Sequence, residues 1–215
     1  MRARPVSPPS LVTELADRIA GMPAGAWVRV AVDGAPAADP HRWAGALIDP
    51  LRLRGRPALH VRADDFLRPA SLRLEFGRTD PDSYYTGWLD EAGLRREVLD
   101  PLEPGGTGRV LPSLWNADTD RATRAACVTL PPGGVLLVSG ALLLGGGLPF
   151  DLTVHLALSP AALNRRTPDA LRWTLPAFAR YDAEVAPTSL ADVAVRLDDP
   201  RRPAVVERGA GPAGL

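Results

Sequence analysis

The stretch Trp27-Val-Arg-Val-Ala-Val-Asp-Gly-Ala-Pro-Ala-Ala-Asp-Pro-His-Arg-Trp-Ala-Gly-Ala-Leu-Ile48 decides the fold. Val28, Val30 and Val32 are β-branched residues in a short apolar run, as expected of an interior strand in a parallel sheet. Asp33-Gly34 ends the strand, and Trp43, Leu47 and Leu51 then recur at four-residue spacing on one helix face. The theme is a buried strand, a small-residue turn and a helix. Further strands are predicted at 57–61, 134–139, 152–158 and 191–197, with helices at 10–20, at 87–102 and within 160–187. Strands alternating with helices predict a three-layer α/β/α fold around a mostly parallel sheet.

The turn after the first strand is where such a fold carries chemistry. Gly34 opens an eight-residue frame, residues 34–41, that can be laid on the phosphate-cradling pattern G-x-x-x-x-G-K-[ST]. Only the first position matches. The second glycine, the lysine and the hydroxyl are replaced by Asp39, Pro40 and His41. Asp39-Pro40 reads instead as a helix start, an N-cap carboxylate followed by a residue whose missing N–H costs nothing in the first turn. That carboxylate is expected to accept the N–H of His41 or Arg42 and to hold the place of a phosphate at the positive end of the helix dipole.

Length and charge narrow the classes. A chain of 215 residues, 46% apolar, suffices for one α/β domain. Basic and acidic residues balance at 25 each, which favours neither nucleic acid nor an anionic membrane as partner. Every basic residue is arginine, so no lysine elsewhere can replace the one missing at Pro40. Cys127 is the only cysteine, which excludes an intramolecular disulfide and a cysteine metal cluster. No signal-like or membrane-length apolar run is present, so a soluble, cytoplasmic protein is expected.

In order along the chain, residues 1–24 read as an N-terminal arm and a helix capped by Ser10. Residues 25–207 form the main domain, with an arginine-bearing segment at about 160–187, and residues 208–215 read as a disordered tail. Asp49-Pro50 predicts a kink in the second helix. Ala63-Asp-Asp-Phe66 places two carboxylates at a strand's C-terminal edge, where open α/β sheets bind ligands. Residues 67–86 read as an exposed excursion, and 107–133 as an edge hairpin with a short helix.

Several of these stretches, in this order and spacing, resemble the uridine kinase-like branch of P-loop nucleoside kinases. They are Val28–Gly34, Ala63–Phe66, Asp80-Pro-Asp-Ser-Tyr-Tyr85, Asp100–Gly106, Gly134–Gly140, Arg180–Pro187 and Ala191–Val193 with Asp198–Pro200. The resemblance implies a P-loop NTPase fold of the nucleoside/nucleotide kinase type with a five-stranded, mostly parallel sheet, Mg-ATP as donor and a nucleoside hydroxyl as acceptor. By position, Asp64 matches the carboxylate that takes the acceptor's proton, with Asp65 beside it. Asp80, Asp82 and Tyr84 fall in the segment that grips the ribose, and Arg165 and Arg166 fall in the lid. The departures lie on the donor side: Gly34, Asp39, Pro40, His41 and Arg42 form a degenerate phosphate turn, and Ser139 stands where an acidic residue follows the Walker B strand. Residues 114–121 lack the tyrosine and histidine that uridine kinases use for the base.

The expectation is a pseudokinase with no cofactor, Mg-ATP not binding in the usual way, no metal and a nucleoside-like or anionic ligand in a regulatory role. Two other readings stay open. One is an active phosphotransferase whose phosphate site is rebuilt from Arg42 or the lid arginines; the other is a ligand-free interaction protein with contact faces at Trp88 and Trp115. Neither nucleic acid nor membrane is an expected partner, and a homodimer is compatible with the sequence. His41 reads as a solvent-facing helix residue, His60 and His155 as core or edge packing, and Arg172 and Arg180 as either an anion clamp or a solvated face paired with nearby acids.

Overall fold

A computed structural model describes residues 2–207; the predicted tail lies outside the described residues. The central sheet has seven strands: β1 (Arg2–Pro5), β2 (Val28–Asp33), β3 (Ala58–Arg62), β4 (Val135–Gly140), β5 (Leu152–Ala157), β6 (Val193–Arg196) and β7 (Ala204–Glu207). Their spatial order is β1-β7-β6-β5-β2-β4-β3. The five strands from β6 to β3 pair in parallel, as expected. The sequence reading missed β7 and β1, which extend one edge in antiparallel fashion.

Five helices matter for the site: α1 (Pro8–Ala20), α2 (Pro40–Leu53), α3 (Pro81–Gly87), α4 (Pro160–Arg166) and α5 (Leu175–Glu184). One sheet face, with Val28, Val30 and Val32, packs on Leu11, Leu47 and Leu51 of α1 and α2. The other face, with Leu136 and Val138, packs on Phe66, Leu94 and Leu99. All six residues of β4 are buried, which explains its unbroken apolar run. Residues 2–20, read as an arm and a helix, supply an edge strand of this sheet and a helix of this core.

Local differences have local causes. Ser7, not Ser10, caps α1: its hydroxyl accepts the Ser10 N–H at 3.2 Å, and Pro8 and Pro9 fill the first turn. Helix α2 runs unbroken through Pro50, which stands in its last turn. The helix predicted at 87–102 begins at Glu91 and winds irregularly, an α turn, a π turn and a 3-10 turn ending at Leu102. Residues 107–133 contain two short antiparallel pairs, Arg109–Val110 with Val128–Thr129 and Trp115–Asn116 with Arg121–Ala122, and no helix. No helix among the described residues is long and apolar enough to cross a membrane.

Candidate functional site

Parallel strands bring their C-terminal ends to one edge, and the ends of β3, β4 and β2 lie side by side. The chain leaves β2 through Gly34, whose missing Cβ would stand 3.0 Å from Leu156 Cβ and 3.1 Å from its carbonyl oxygen. Close packing on β5 therefore accounts for this glycine. Pro36–Ala38 form a 3-10 turn, and Asp39 follows in the left-handed region at φ 57°. The turn uses its own donors: the Ala38 N–H goes to Ala35 O at 2.7 Å and the Asp39 N–H to Pro36 O at 3.0 Å. Pro36 and Pro40 have no N–H. The Asp39 carboxylate accepts the Arg42 N–H at 3.3 Å and caps α2. The Arg42 side chain is exposed and lines a groove between α1 and α2, with Pro9 and Trp43, away from the turn.

His41, in the first turn of α2, is not the solvent-facing residue expected. Its Nδ1 lies 2.6 Å from the Ser139 hydroxyl at the end of β4, and its Nε2 lies 2.7 Å from Asp64 Oδ2 just after β3. His60 is likewise more than packing, since its Nε2 is 2.7 Å from the same hydroxyl. Ser139 is fully buried. One hydroxyl thus joins two imidazoles, and one imidazole joins the hydroxyl to a carboxylate. A consistent assignment runs His60 Nε2–H to Ser139, Ser139 O–H to His41 Nδ1, and His41 Nε2–H to Asp64, with each group using one donor per bond. Among the described residues, no three His, Cys, Asp or Glu side chains are grouped so as to hold a metal ion.

The electrostatics follow from this chain. Burial pushes the Asp64 carboxyl up, but the hydrogen bond and charge of His41, with Arg62 3.3 Å away, outweigh it and hold Asp64 below its ordinary range. Asp65 goes the other way: burial raises it, Arg62 opposes, and the charge of Asp64 adds to the rise. Its carboxylate accepts no hydrogen bond among the described residues. Burial, then His41, then Arg62 push His60 down to about 4, so its ring is neutral at neutral pH.

Asp64 also lines a cavity of about 200 Å³ with Tyr84, Tyr85, Trp88, Glu91 and Leu142. Tyr84 sits in an aromatic cluster, its ring centroid 5.1 Å from Trp88, 5.5 Å from Trp173 and 5.9 Å from Phe178. Burial, with the nearby Asp64 charge, raises the Tyr84 phenol, which stays protonated. Asp80 is placed elsewhere in the economy of the fold: it caps α3, accepting the Ser83 N–H at 2.6 Å. Asp82 pairs with Arg180 at 3.1 Å.

Three arginines of the 160–187 segment are engaged with the protein. Arg166 donates to the Leu197 carbonyl at 2.7 Å, Arg172 pairs with Asp169 at 3.0 Å, and Arg180 pairs with Glu184 at 2.8 Å while lying over the Tyr85 ring. Arg165 is exposed. The 114–121 segment is a closed hairpin in which Asp120 accepts from Trp115 Nε1 at 3.1 Å and from Ala70 N–H at 2.8 Å.

Asp64 and Tyr84, both singled out in the sequence, line one cavity, whereas the contacts of His41, His60 and Ser139 were not indicated there. The available signal was positional: Ser139 is the penultimate residue of β4 and Arg62, two residues past His60, is its partner in the β3 register.

No protein-family model matches this chain, and no curated protein matches it in sequence. Solved structures do match in shape. A candidate uridine kinase from Bacillus stearothermophilus superposes with a TM-score of 0.70 at 17% identity, covering 86% of this chain and 97% of that one. A candidate fructose transport system kinase from Silicibacter gives 0.59 at 23% identity, covering 86% and 95%. The YGR205w protein gives 0.60 at 11% identity, covering 96% and 100%. At these identities the likeness is one of architecture: the chain has the mixed α/β fold, built on a mostly parallel central sheet, of uridine kinase-like and related P-loop kinases.

Proposed function

We propose that this chain is a pseudokinase of the uridine kinase-like group, which binds a neutral, hydroxyl-rich, nucleoside-like molecule and acts through that binding in a regulatory role. The observation that carries the reading is the His41 imidazole held between Asp64 and Ser139. In kinases of this fold the corresponding positions present a hydroxyl, an acid and a carboxylate to Mg²⁺. Here an imidazole bonds to both remaining oxygens, at 2.6 and 2.7 Å. A magnesium ion needs near-octahedral oxygen ligands at about 2.0–2.1 Å, and His41 stands among those that remain.

The donor side gives the same answer. A phosphate cradle needs free amide donors, a lysine and no competing anion. This turn bonds the Ala38 and Asp39 amides internally, carries Pro40 in the lysine place and sets the Asp39 carboxylate on the α2 terminus. The residues present do not fit Mg-ATP.

The acceptor side keeps a usable surface. Asp64 and Glu91 offer acceptors, Tyr84 a hydroxyl, and Trp88 a ring face, around a cavity sized for a sugar ring. Calorimetry and thermal shift with a panel of nucleosides, their monophosphates and Mg-ATP test the reading. A neutral nucleoside should raise the melting temperature and Mg-ATP should not. Micromolar binding of Mg-ATP, lost on changing a residue of the 34–41 turn, would overturn it in favour of phosphotransfer. A protein indifferent to the whole panel, and stabilised by Asp64→Asn, would make the interaction-protein reading the better one.

A further inference from the structure

A second cavity opens on the other side of the β2 terminus, between the end of β5 and the helices α4 and α5. Its volume is about 280 Å³, and Leu156, Leu163, Leu175 and Phe178 give it a mainly apolar wall. No arginine lines it among the described residues, and one acidic side chain, Asp182, does.

His155 also faces this cavity and is only 8% exposed. Its Nδ1 lies 2.6 Å from Asp33 Oδ2. Asp33 is fully buried and is fixed by two more donors, the Leu143 N–H at 2.9 Å and the Tyr181 hydroxyl at 3.1 Å. Three donors converge on one carboxylate, so His155 Nδ1 carries its proton toward Asp33 and Nε2 is the nitrogen left over. That nitrogen has no protein hydrogen-bond partner among the described residues and is not sealed in the core, so the cavity that His155 lines is its access.

Packing alone does not explain this arrangement. Val154 and Leu156, on either side in β5, fill core positions with apolar side chains. A buried carboxylate and imidazole cost desolvation that an apolar pair would avoid, and here that pair leaves an acceptor nitrogen on a mainly apolar cavity wall.

We propose that this cavity is a binding site for a small, uncharged, one- or two-ring apolar molecule carrying a hydroxyl group, whose O–H donates to His155 Nε2. The volume suits such a molecule, since a cavity of about 150 Å³ holds benzene. An anion is disfavoured by Asp33 and Asp182 with no cation on the wall, which also separates this site from a nucleotide phosphate site. A hydroxyl is selected because an occupant that excludes water from the cavity without donating leaves Nε2 unpaired. The proposal stands on β5, α4 and α5 and is independent of the nucleoside-like ligand assigned to the Asp64 cavity.

The test uses the full chain with 2-naphthol and 2-methoxynaphthalene as probes, titrated by fluorescence. Wild type should bind 2-naphthol about tenfold more tightly than the methyl ether, the worth of one hydrogen bond to a buried acceptor. His155→Phe should erase that ratio, and Leu163→Trp, which fills the cavity without touching the dyad, should weaken both probes. In wild type, 2-naphthol should shift the ¹⁵N resonance of His155 Nε2, a readout that needs no variant to fold. Equal affinity for the two probes, a ratio that survives His155→Phe, indifference to Leu163→Trp, or bound 2-naphthol with an unmoved Nε2 resonance would each overturn the proposal, as would no binding at probe saturation.

Discussion

Replacing His41 by alanine breaks the bridge on which the functional reading rests. The variant loses the 2.6 Å bond to Ser139 and the 2.7 Å bond to Asp64. One hydrogen bond contributes about 1 kcal/mol net, more to a charged acceptor, but the Asp64 side chain is half exposed and water recovers part of that second loss. Ser139 keeps His60 as a partner, so no buried hydroxyl is stranded. The expected cost is about 1–2 kcal/mol, a fall in Tm of roughly 2–8 °C for a domain of this size. A second readout is specific to the network. His60 is held down to about 4 by burial, by His41 and by Arg62; removing His41 deletes one of these and lets water nearer the ring. Its titration should move up toward the ordinary 6.5. Urea unfolding near neutral pH and NMR titration of the imidazole rings measure both. A variant as stable as wild type, with His60 titrating where it did, would refute the bridge.

Acid sensitivity is the second expectation. Between 6.5 and about 4 the unfolded chain accepts a proton that native His60 refuses, so stability is full above that window and falls as pH drops through it. His60→Gln should flatten that part of the curve, while the further loss at lower pH, where depressed Asp64 is protonated, should remain. In the third, Asp39→Gly with Pro40→Lys and His41→Thr should create measurable phosphate affinity while lowering stability, since the N-cap alone contributes ~1 kcal/mol; a triple variant more stable without any ligand would contradict the self-capped turn. In the fourth, Asp64→Asn should weaken a neutral nucleoside by ~1.5–3 kcal/mol, the loss of one hydrogen bond to a charged acceptor, whereas Arg166→Ala, whose guanidinium is spent on Leu197, should change the affinity of neither a nucleoside nor its monophosphate.

What could be read in the sequence was what one strand or helix determines by itself. The inner parallel strands announce themselves because β2, β4 and β5 are buried along most of their length, and β4 is apolar from Val135 to Val138. The two antiparallel strands, β1 at the edge and β7 beside it, do not. An edge strand tolerates proline and arginine, as β1 does in Arg2–Pro5, and such a segment looks like a tail. Asp64 was legible because two acids at a strand end are locally conspicuous; its partners were not, because they arrive from other elements. His41 comes from α2, Ser139 from β4 and His60 from β3, and only the order β3-β4-β2 makes them neighbours. The same holds for Asp33 and His155, which are far apart in sequence yet directly paired in the register of β2 and β5.

That dependence on sheet order ties positions 41 and 139 together. A threonine at 41 is too short to replace both hydrogen bonds of the imidazole, so Ser139 and Asp64 would no longer be bridged. An acid at 139 would instead set two carboxylates on one imidazole and a third partner, His60, on the same acid. The imidazole needs an acceptor-donor hydroxyl on one side and a carboxylate on the other, which is what Ser139 and Asp64 supply. Positions 41 and 139 therefore form one hydrogen-bonded unit with Asp64 and His60, so a change at either is expected to be felt at the other.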